Sequence, residues 1–217
     1  MKLEALLFDM DGTLANTLPL CIKVYQQSLQ HYTGRSYTEA EVTAHFGVTE
    51  AGIFQRMLPD QWEEALAYYH HQYEHSHDEC AEPFPGIKKA LSLLKEKHVK
   101  MAIITGKGPY TARFTTEYLG LNQYFERIEV GKEDAVIKAV AIRTVLLDWN
   151  IDPQYAAYIG DTDTDMKEAM TAGVLPLGAE WATTSTIHLL RGIEPFARFS
   201  EVESFSEWIE QNIEQNK

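Results

Sequence analysis

A chain of 217 residues with 19 Lys and Arg against 32 Asp and Glu carries a net charge of −13, which argues against nucleic acid or an anionic membrane surface as its partner, because both require a positive field. Its hydrophobic content of 45% is enough for a sizeable globular core, and no apolar run approaches the roughly 18 residues of a membrane span. The same acidity means that an anionic substrate must find positive charge locally, from a metal, a lysine or backbone N–H groups.

Met1-Lys2-Leu3-Glu4 places an acidic residue where a signal peptide carries its positive region, so no targeting segment is expected. Leu3 to Phe8 is a short apolar run halted by Asp9-Met10-Asp11-Gly12, the pattern of a buried strand ending in a loop. From about residue 17 to residue 80 the pattern is helix after helix. Leu18 to Tyr32 is followed by segments starting near Thr38, Thr49 and Asp60. The aromatic residues Tyr25, Phe46, Phe54, Trp62, Tyr68, Tyr69 and Tyr73 are candidates for a small helical core. Cys21 and Cys80 are far apart and fit neither a zinc pattern nor a disulfide framework, which points to a reducing, cytoplasmic setting.

After Pro85-Gly86 the chain alternates. Helical patterns are expected over Gly86–His98, Tyr110–Leu119, Lys138–Trp149, Thr164–Thr171 and, as a tail, Glu203–Lys217. Strands are expected at Lys100–Ile104, Arg127–Val130, Tyr155–Ile159 and Val174–Leu177. Strand–helix alternation implies an α/β fold, a Rossmann-like doubly wound parallel sheet. The boundaries fall at 1–16 and 82–217 for this core and 17–81 for an inserted all-helical module.

Ligands of open parallel sheets bind beyond the carboxyl ends of the strands. Asp9, Asp11 and Gly12 follow the first strand, Thr105, Gly106 and Lys107 the second, and Asp161 and Asp165 the fourth, while Lys138 opens a helix. A carboxylate can attack phosphorus and divide one hard step into two. Two neighbouring carboxylates repel, so a lysine and a hard divalent cation such as Mg²⁺ must neutralise them. Gly12 is expected to permit a tight turn and to leave N–H groups free for phosphate.

Asp9-x-Asp11-Gly12-Thr13-Leu14, Thr105, Lys138 and Gly160-Asp161-x-x-x-Asp165, in this order, resemble the haloacid dehalogenase-like hydrolases. The likeness spans nearly the whole chain. It includes the helical insert, which is similar to the small cap of the phosphoglycolate phosphatase and β-phosphoglucomutase type. The resemblance implies that Asp9 is the nucleophile and a metal ligand. It implies that Asp11 is the general acid/base and binds metal through its backbone carbonyl. Thr105, Gly106 and Lys138 are then expected to hold the phosphoryl group, and Asp161 to complete a Mg²⁺ site, with Asp165 as ligand or as a partner behind it. The implied reaction is hydrolysis of a small phosphorylated metabolite; for the oligomeric state, which the sequence does not indicate, a monomer is taken as the default. Phosphomutase chemistry is the first alternative, and a phosphate- or metal-binding regulatory protein the second.

Three departures from the family pattern stand out. No Lys-Pro occurs, so Lys138 is taken as the motif lysine with Lys132 as its rival. Gly106-Lys107 stands where Asn is frequent, removing a side-chain donor and adding a cation. Asn16 replaces a common Asp. The cap loop His45-Phe46-Gly47-Val48-Thr49-Glu50 carries no Arg or Lys, which weighs against a doubly phosphorylated sugar. Among other residues, His71 and His75 lie one helical turn apart but have no acidic partner, and solvated helix positions explain them. Asp163 and Thr164 are read as helix-capping or solvent residues, Trp181 as packing beneath the loop after Leu177, and Arg56, Arg113, Arg143 and Arg191 as without assigned role.

Overall fold

The structure is a computed structural model that describes residues 1–187 and 194–215. Arg191 and the last two residues of the expected terminal helix lie outside them. Among the described residues one six-stranded sheet has the order β3-β2-β1-β4-β5-β6. Its strands are β1 (Ala5–Phe8), β2 (Lys100–Ile104), β3 (Arg127–Glu129), β4 (Ala156–Gly160), β5 (Leu175–Ala179) and β6 (Ala197–Phe199). Every pairing is parallel. The edge strand β6 is the one not foreseen. It has three residues with Arg198 at its centre, too short and too polar to form an apolar run. Tyr155, expected in a strand, instead ends a 3₁₀ turn over Pro153–Tyr155.

All four residues of β1 and all five of β4 are buried, as expected for strands covered on both faces. Alternate residues divide between two cores. Leu6 and Phe8 pack with α5 (Ile87–Glu96) and α9 (Val202–Asn212) on one face. Ala5 and Leu7 pack with α7 (Lys138–Trp149) and α8 (Asp163–Ala172) on the other. The register Phe8↔Ile103 and Phe8↔Ile159 brings the ends of three strands level, so the residues just beyond them meet at one edge. The remaining core helix, α6 (Pro109–Tyr118), follows β2.

Between β1 and α5 lie α1 (Leu18–Thr33), α2 (Glu39–Thr43), α3 (Glu50–Met57), α4 (Trp62–His75) and a 3₁₀ turn (His77–Cys80). Thr38 and Thr49 cap α2 and α3 through their side chains, which is why those helices start where the sequence indicates. The aromatic core forms as expected in its centre, with Tyr25 against Tyr69 at 4.4 Å and against Phe54 at 5.5 Å between ring centroids. Tyr68 stays at the margin, stacked on His31 at 4.5 Å. The α3 backbone lies directly on the loop after β3. A Cβ at Gly52 would come within 2.0 Å of the Glu133 carbonyl oxygen, so only glycine fits.

Candidate active site

Asp9 follows β1 without a break, its N–H donating to Ile159 O at 2.9 Å. The residue is 6% exposed. Lys138, the first residue of α7, places Nζ 2.9 Å from Asp9 Oδ2 and 2.7 Å from Asp165 Oδ1. The rival lysine is elsewhere: Lys132 accepts the Thr49 N–H at its carbonyl and lines a neighbouring cleft of about 730 Å³. Burial lowers the affinity of Lys138 for its proton, but Asp165 and Asp9 outweigh burial and the ammonium is held firmly protonated.

Carboxylate oxygens of Asp9, Asp161 and Asp165 lie within 4.8 Å of one another. Burial, reinforced by Asp165 and Asp11 and opposed by Lys138, pushes the Asp9 carboxyl up to about 7. Burial and the neighbouring carboxylates push Asp161 well above the usual carboxylate range. Asp165 goes the other way. Burial raises it, but Lys138 and Thr162 win and hold it below its ordinary value.

These three aspartates differ in what they can still bind. Asp165 caps α8 with Thr162: its Oδ2 accepts the Thr162 N–H at 3.1 Å and the hydroxyl at 2.6 Å. Its Oδ1 accepts from Lys138 and from the Tyr158 hydroxyl at 3.1 Å. Four donors occupy it, so of the two roles expected for Asp165 the geometry favours the partner that holds Lys138 over the direct ligand. The capping residue is Thr162, not Asp163 or Thr164. Asp161 Oδ1, by contrast, is buried with no hydrogen-bond partner among the described residues. An unpaired buried carboxylate oxygen beside Asp9 is costly unless a cation meets it, so the donor set fits a hard divalent ion.

Gly12 has φ +76°, and a Cβ there would stand 2.2 Å from Asp161 Oδ2. The tight turn is as expected, and the Gly12 N–H is spent within it, donating to Ala15 O at 2.9 Å. The glycine is there to let Asp161 close on the first loop. Gly12→Ala should cost about 3 kcal/mol in urea denaturation, from left-handed strain plus overpacking. A loss below about 0.5 kcal/mol would refute that account.

The cluster opens into a cavity of about 570 Å³, walled by Asp9, Asp11, Gly106, Lys107 and Lys138 from the core and by Phe46, Val48 and Tyr69 from the insert. Thr105 is not part of this wall. It is buried, with Oγ1 accepting the Lys107 N–H at 3.2 Å. Asp11 is turned toward the insert, where its Oδ1 accepts from the Thr17 hydroxyl and pairs with Lys107 Nζ at 3.2 Å.

Lys107 and Glu50 matter more than their sequence context suggests. Lys107 is 5% exposed, with Nζ 3.2 Å from Cys21 Sγ and 4.7 Å from the Tyr73 ring centre. Burial pushes the Cys21 thiol up to about 12 despite the adjacent ammonium, so it stays a thiol. Glu50 accepts the Gly108 N–H at 2.6 Å and the Thr111 hydroxyl, tying α3 to the core. An acidic residue in the first turn of a helix ordinarily serves the helix dipole, which hid this role.

The other residues singled out lie apart. His71 and His75 stack at 4.0 Å, and His75 Nδ1 contacts the His71 carbonyl rather than an acidic partner. Trp181 donates to Thr13 O at 3.0 Å and packs on Phe205. Arg56, Arg113 and Arg143 do not line the cavity.

Comparison with known proteins agrees with this geometry. The model of the haloacid dehalogenase-like hydrolases matches residues 6–179. A protein of Caldanaerobacter subterraneus provisionally named pyrophosphatase PpaX is 30% identical over 191 residues, covering 84% of each chain. Pyrophosphatase PpaX of Listeria welshimeri is 29% identical over 192 residues, covering 87% of this chain and 88% of its own. Among solved structures, a provisionally named β-phosphoglucomutase of Thermotoga maritima superposes with TM-score 0.74 at 24% identity, covering 97% of this chain and 100% of the other. A protein of Haemophilus somnus provisionally named phosphoglycolate phosphatase gives 0.75 at 18% identity, covering 95% and 98%. These last two establish the fold. With the family model covering most of its length, the chain belongs to the haloacid dehalogenase-like hydrolases.

Proposed function

We propose that this hydrolase is a Mg²⁺-dependent phosphatase that acts through an aspartyl-phosphate on a small phosphorylated metabolite. The observation that carries the reading is Asp9, a nearly buried carboxylate held by Lys138 where the aspartate cluster meets the cavity between core and insert. Asp9 attacks phosphorus in line, and Asp11 protonates the departing oxygen. Asp11 then takes a proton from the water that cleaves the acyl phosphate, as microscopic reversal of its first role. Lys138 keeps Asp9 oriented and offsets charge on the phosphoryl oxygens. Asp161, Asp9 and the Asp11 carbonyl would hold the metal, which when bound supplies the charge that neutralises the transferring group. Residues 17–81 serve as a cap over the 1–16 and 82–217 core. Closure excludes bulk water, and opening admits substrate.

The likeness to proteins named pyrophosphatase makes pyrophosphate one of the substrates to test, beside 2-phosphoglycolate, sugar phosphates and nucleoside monophosphates. Purified protein should release phosphate from at least one of these in the presence of Mg²⁺, with at least about a 100-fold loss on chelation. A flat response to all of them would overturn the reading in favour of a binding role. Transfer between β-glucose 1-phosphate and 6-phosphate without phosphate release would replace it with the mutase alternative.

A further inference from the structure

We propose that Glu50 is a latch: its carboxylate holds the helical insert closed on the core by supplying the N-terminal cap that α6 lacks, and so positions the Gly106–Lys107 wall of the catalytic cavity. This rests on the phosphatase reading and assigns one part of it, closure, to a single residue. Glu50 acts through Gly108 rather than on the substrate. The sequence of α6 explains the need. Its N-cap position is Gly108, which has no side chain to accept from the first turn, and Pro109 follows. Ser, Thr, Asp or Asn ordinarily fills that position. Here the acceptor arrives from α3: Glu50 takes the Gly108 N–H on Oε2 at 2.6 Å and the Thr111 hydroxyl on Oε1. A carboxylate at this end also meets the positive pole of the helix. The approach requires glycine at 108, because a Cβ there would stand 2.5 Å from Glu50 Oε2.

Three observations make this contact a latch rather than ordinary packing. First, Glu50 is 4% exposed, and both hydrogen-bond partners it has among the described residues belong to the core. A buried carboxylate is tolerated only while its donors are present. It is satisfied when the insert is seated and must be hydrated when the insert is not, so partly parted positions are disfavoured. Second, α3 belongs to neither chain crossing between insert and core. Those crossings lie side by side, with the Phe84 N–H donating to Leu14 O at 3.0 Å, so α3 can part from the core while they stay joined. Third, the contact ends at the catalytic wall. Gly108 follows Gly106 and Lys107, which line the cavity, and Glu50 lines both that cavity and the neighbouring cleft. A Cβ at Gly131 would stand 2.3 Å from Gly106 O and 3.1 Å from Thr49 Cγ2, so the start of α3 and the Gly106 backbone meet at one point.

Hydrogen exchange on the whole chain reads the latch without any substrate. The Thr49 N–H donates to Lys132 O at 3.0 Å across the same boundary and is not touched by Glu50. In Glu50→Ala this amide should exchange about 30-fold faster, the size of one lost hydrogen bond to a charged group. The Ile53 amide donates to Thr49 O within α3 and should keep its protection, because the insert moves as a body. With the substrate found by screening, kcat/KM of Glu50→Ala should fall by about the same factor, the fold being verified by circular dichroism. Glu50→Gln, whose amide oxygen still accepts the Gly108 N–H, should restore most of the loss.

Gly108→Ala reaches the contact from the core side and tests it if Glu50→Ala does not fold. Its Cβ should force the carboxylate away, speeding Thr49 exchange and lowering kcat/KM about 10-fold. In the Glu50→Ala background the same change should cost less than about 2-fold, because the clash is gone. Unchanged Thr49 exchange, or unchanged kcat/KM, would overturn the proposal and leave Glu50 as a static cap of α6. Equal losses from Gly108→Ala in both backgrounds would also overturn it. A wild type inactive on every phosphate ester would instead refute the phosphatase reading, and the Thr49 exchange would separately decide whether Glu50 holds the insert.

Discussion

Asp9→Asn is expected to abolish phosphate release, lowering kcat by about 10⁴-fold or more, while the fold and its thermal stability survive. The amide is nearly isosteric with the carboxylate but cannot attack phosphorus, so the covalent route is closed rather than slowed. A factor of 10⁴ corresponds to about 5.5 kcal/mol of lost transition-state stabilisation. Stability should hold because Asp9 carries a charge that burial disfavours: its carboxyl is pushed up to about 7 even with Lys138 alongside. Removing that charge leaves Lys138 paired with Asp165. Steady-state turnover with the substrate found by screening, read beside a melting curve, checks both halves. A variant that keeps more than about one-tenth of wild-type turnover would show that Asp9 is not the nucleophile.

Much of this site could be read from the chain, and the reason is local. Asp9 and Asp161 each follow a buried strand directly, and Asp11 comes two residues after Asp9, so strand order alone brings them to one edge. The parallel sheet and the all-helical insert were legible for the same reason, since periodicity and Thr caps mark elements wherever burial is one-sided or complete. What could not be read was contact between distant segments. Nothing near residue 107 announces that its ammonium reaches Cys21, 86 positions away. Nothing near Glu50 shows that it holds Gly108 and Thr111. The choice between Lys132 and Lys138 likewise turned on where α7 begins, and a helix start without a side-chain cap leaves little trace in sequence. Gly12 shows the same limit: the turn it permits was legible, but not that its missing Cβ makes room for Asp161 from a strand about 150 residues away.

Metal should bind more tightly and stabilise the fold more as pH rises toward about 7. Asp9 and Asp161 are both raised by burial, Asp9 to about 7. A group whose folded pKa exceeds its unfolded value binds extra protons in the folded state between the two. The metal-free protein therefore loses stability as pH climbs from about 4 through about 7, the range that Asp9 sets, and Asp161 adds loss of the same sign. Asp165 has the opposite sign, but its lowered value acts only below about pH 4 and does not enter this window. A divalent ion needs the deprotonated carboxylates, so binding expels the protons that the empty site retains. At pH 8 a Mg²⁺ concentration of about 100 times Kd should add about 2.7 kcal/mol, or roughly 5–10 °C in Tm for a chain of this size. At pH 5.5 the proton retained on Asp9 by itself weakens binding about 30-fold, and the increment should shrink to about 1 kcal/mol or less. Melting curves in chelator and in Mg²⁺ at the two pH values give all four numbers. An increment that is the same at both would mean that the aspartates are already ionised without the metal. Asp161 Oδ1, which lacks a partner among the described residues, would then have to be stabilised by something other than its proton.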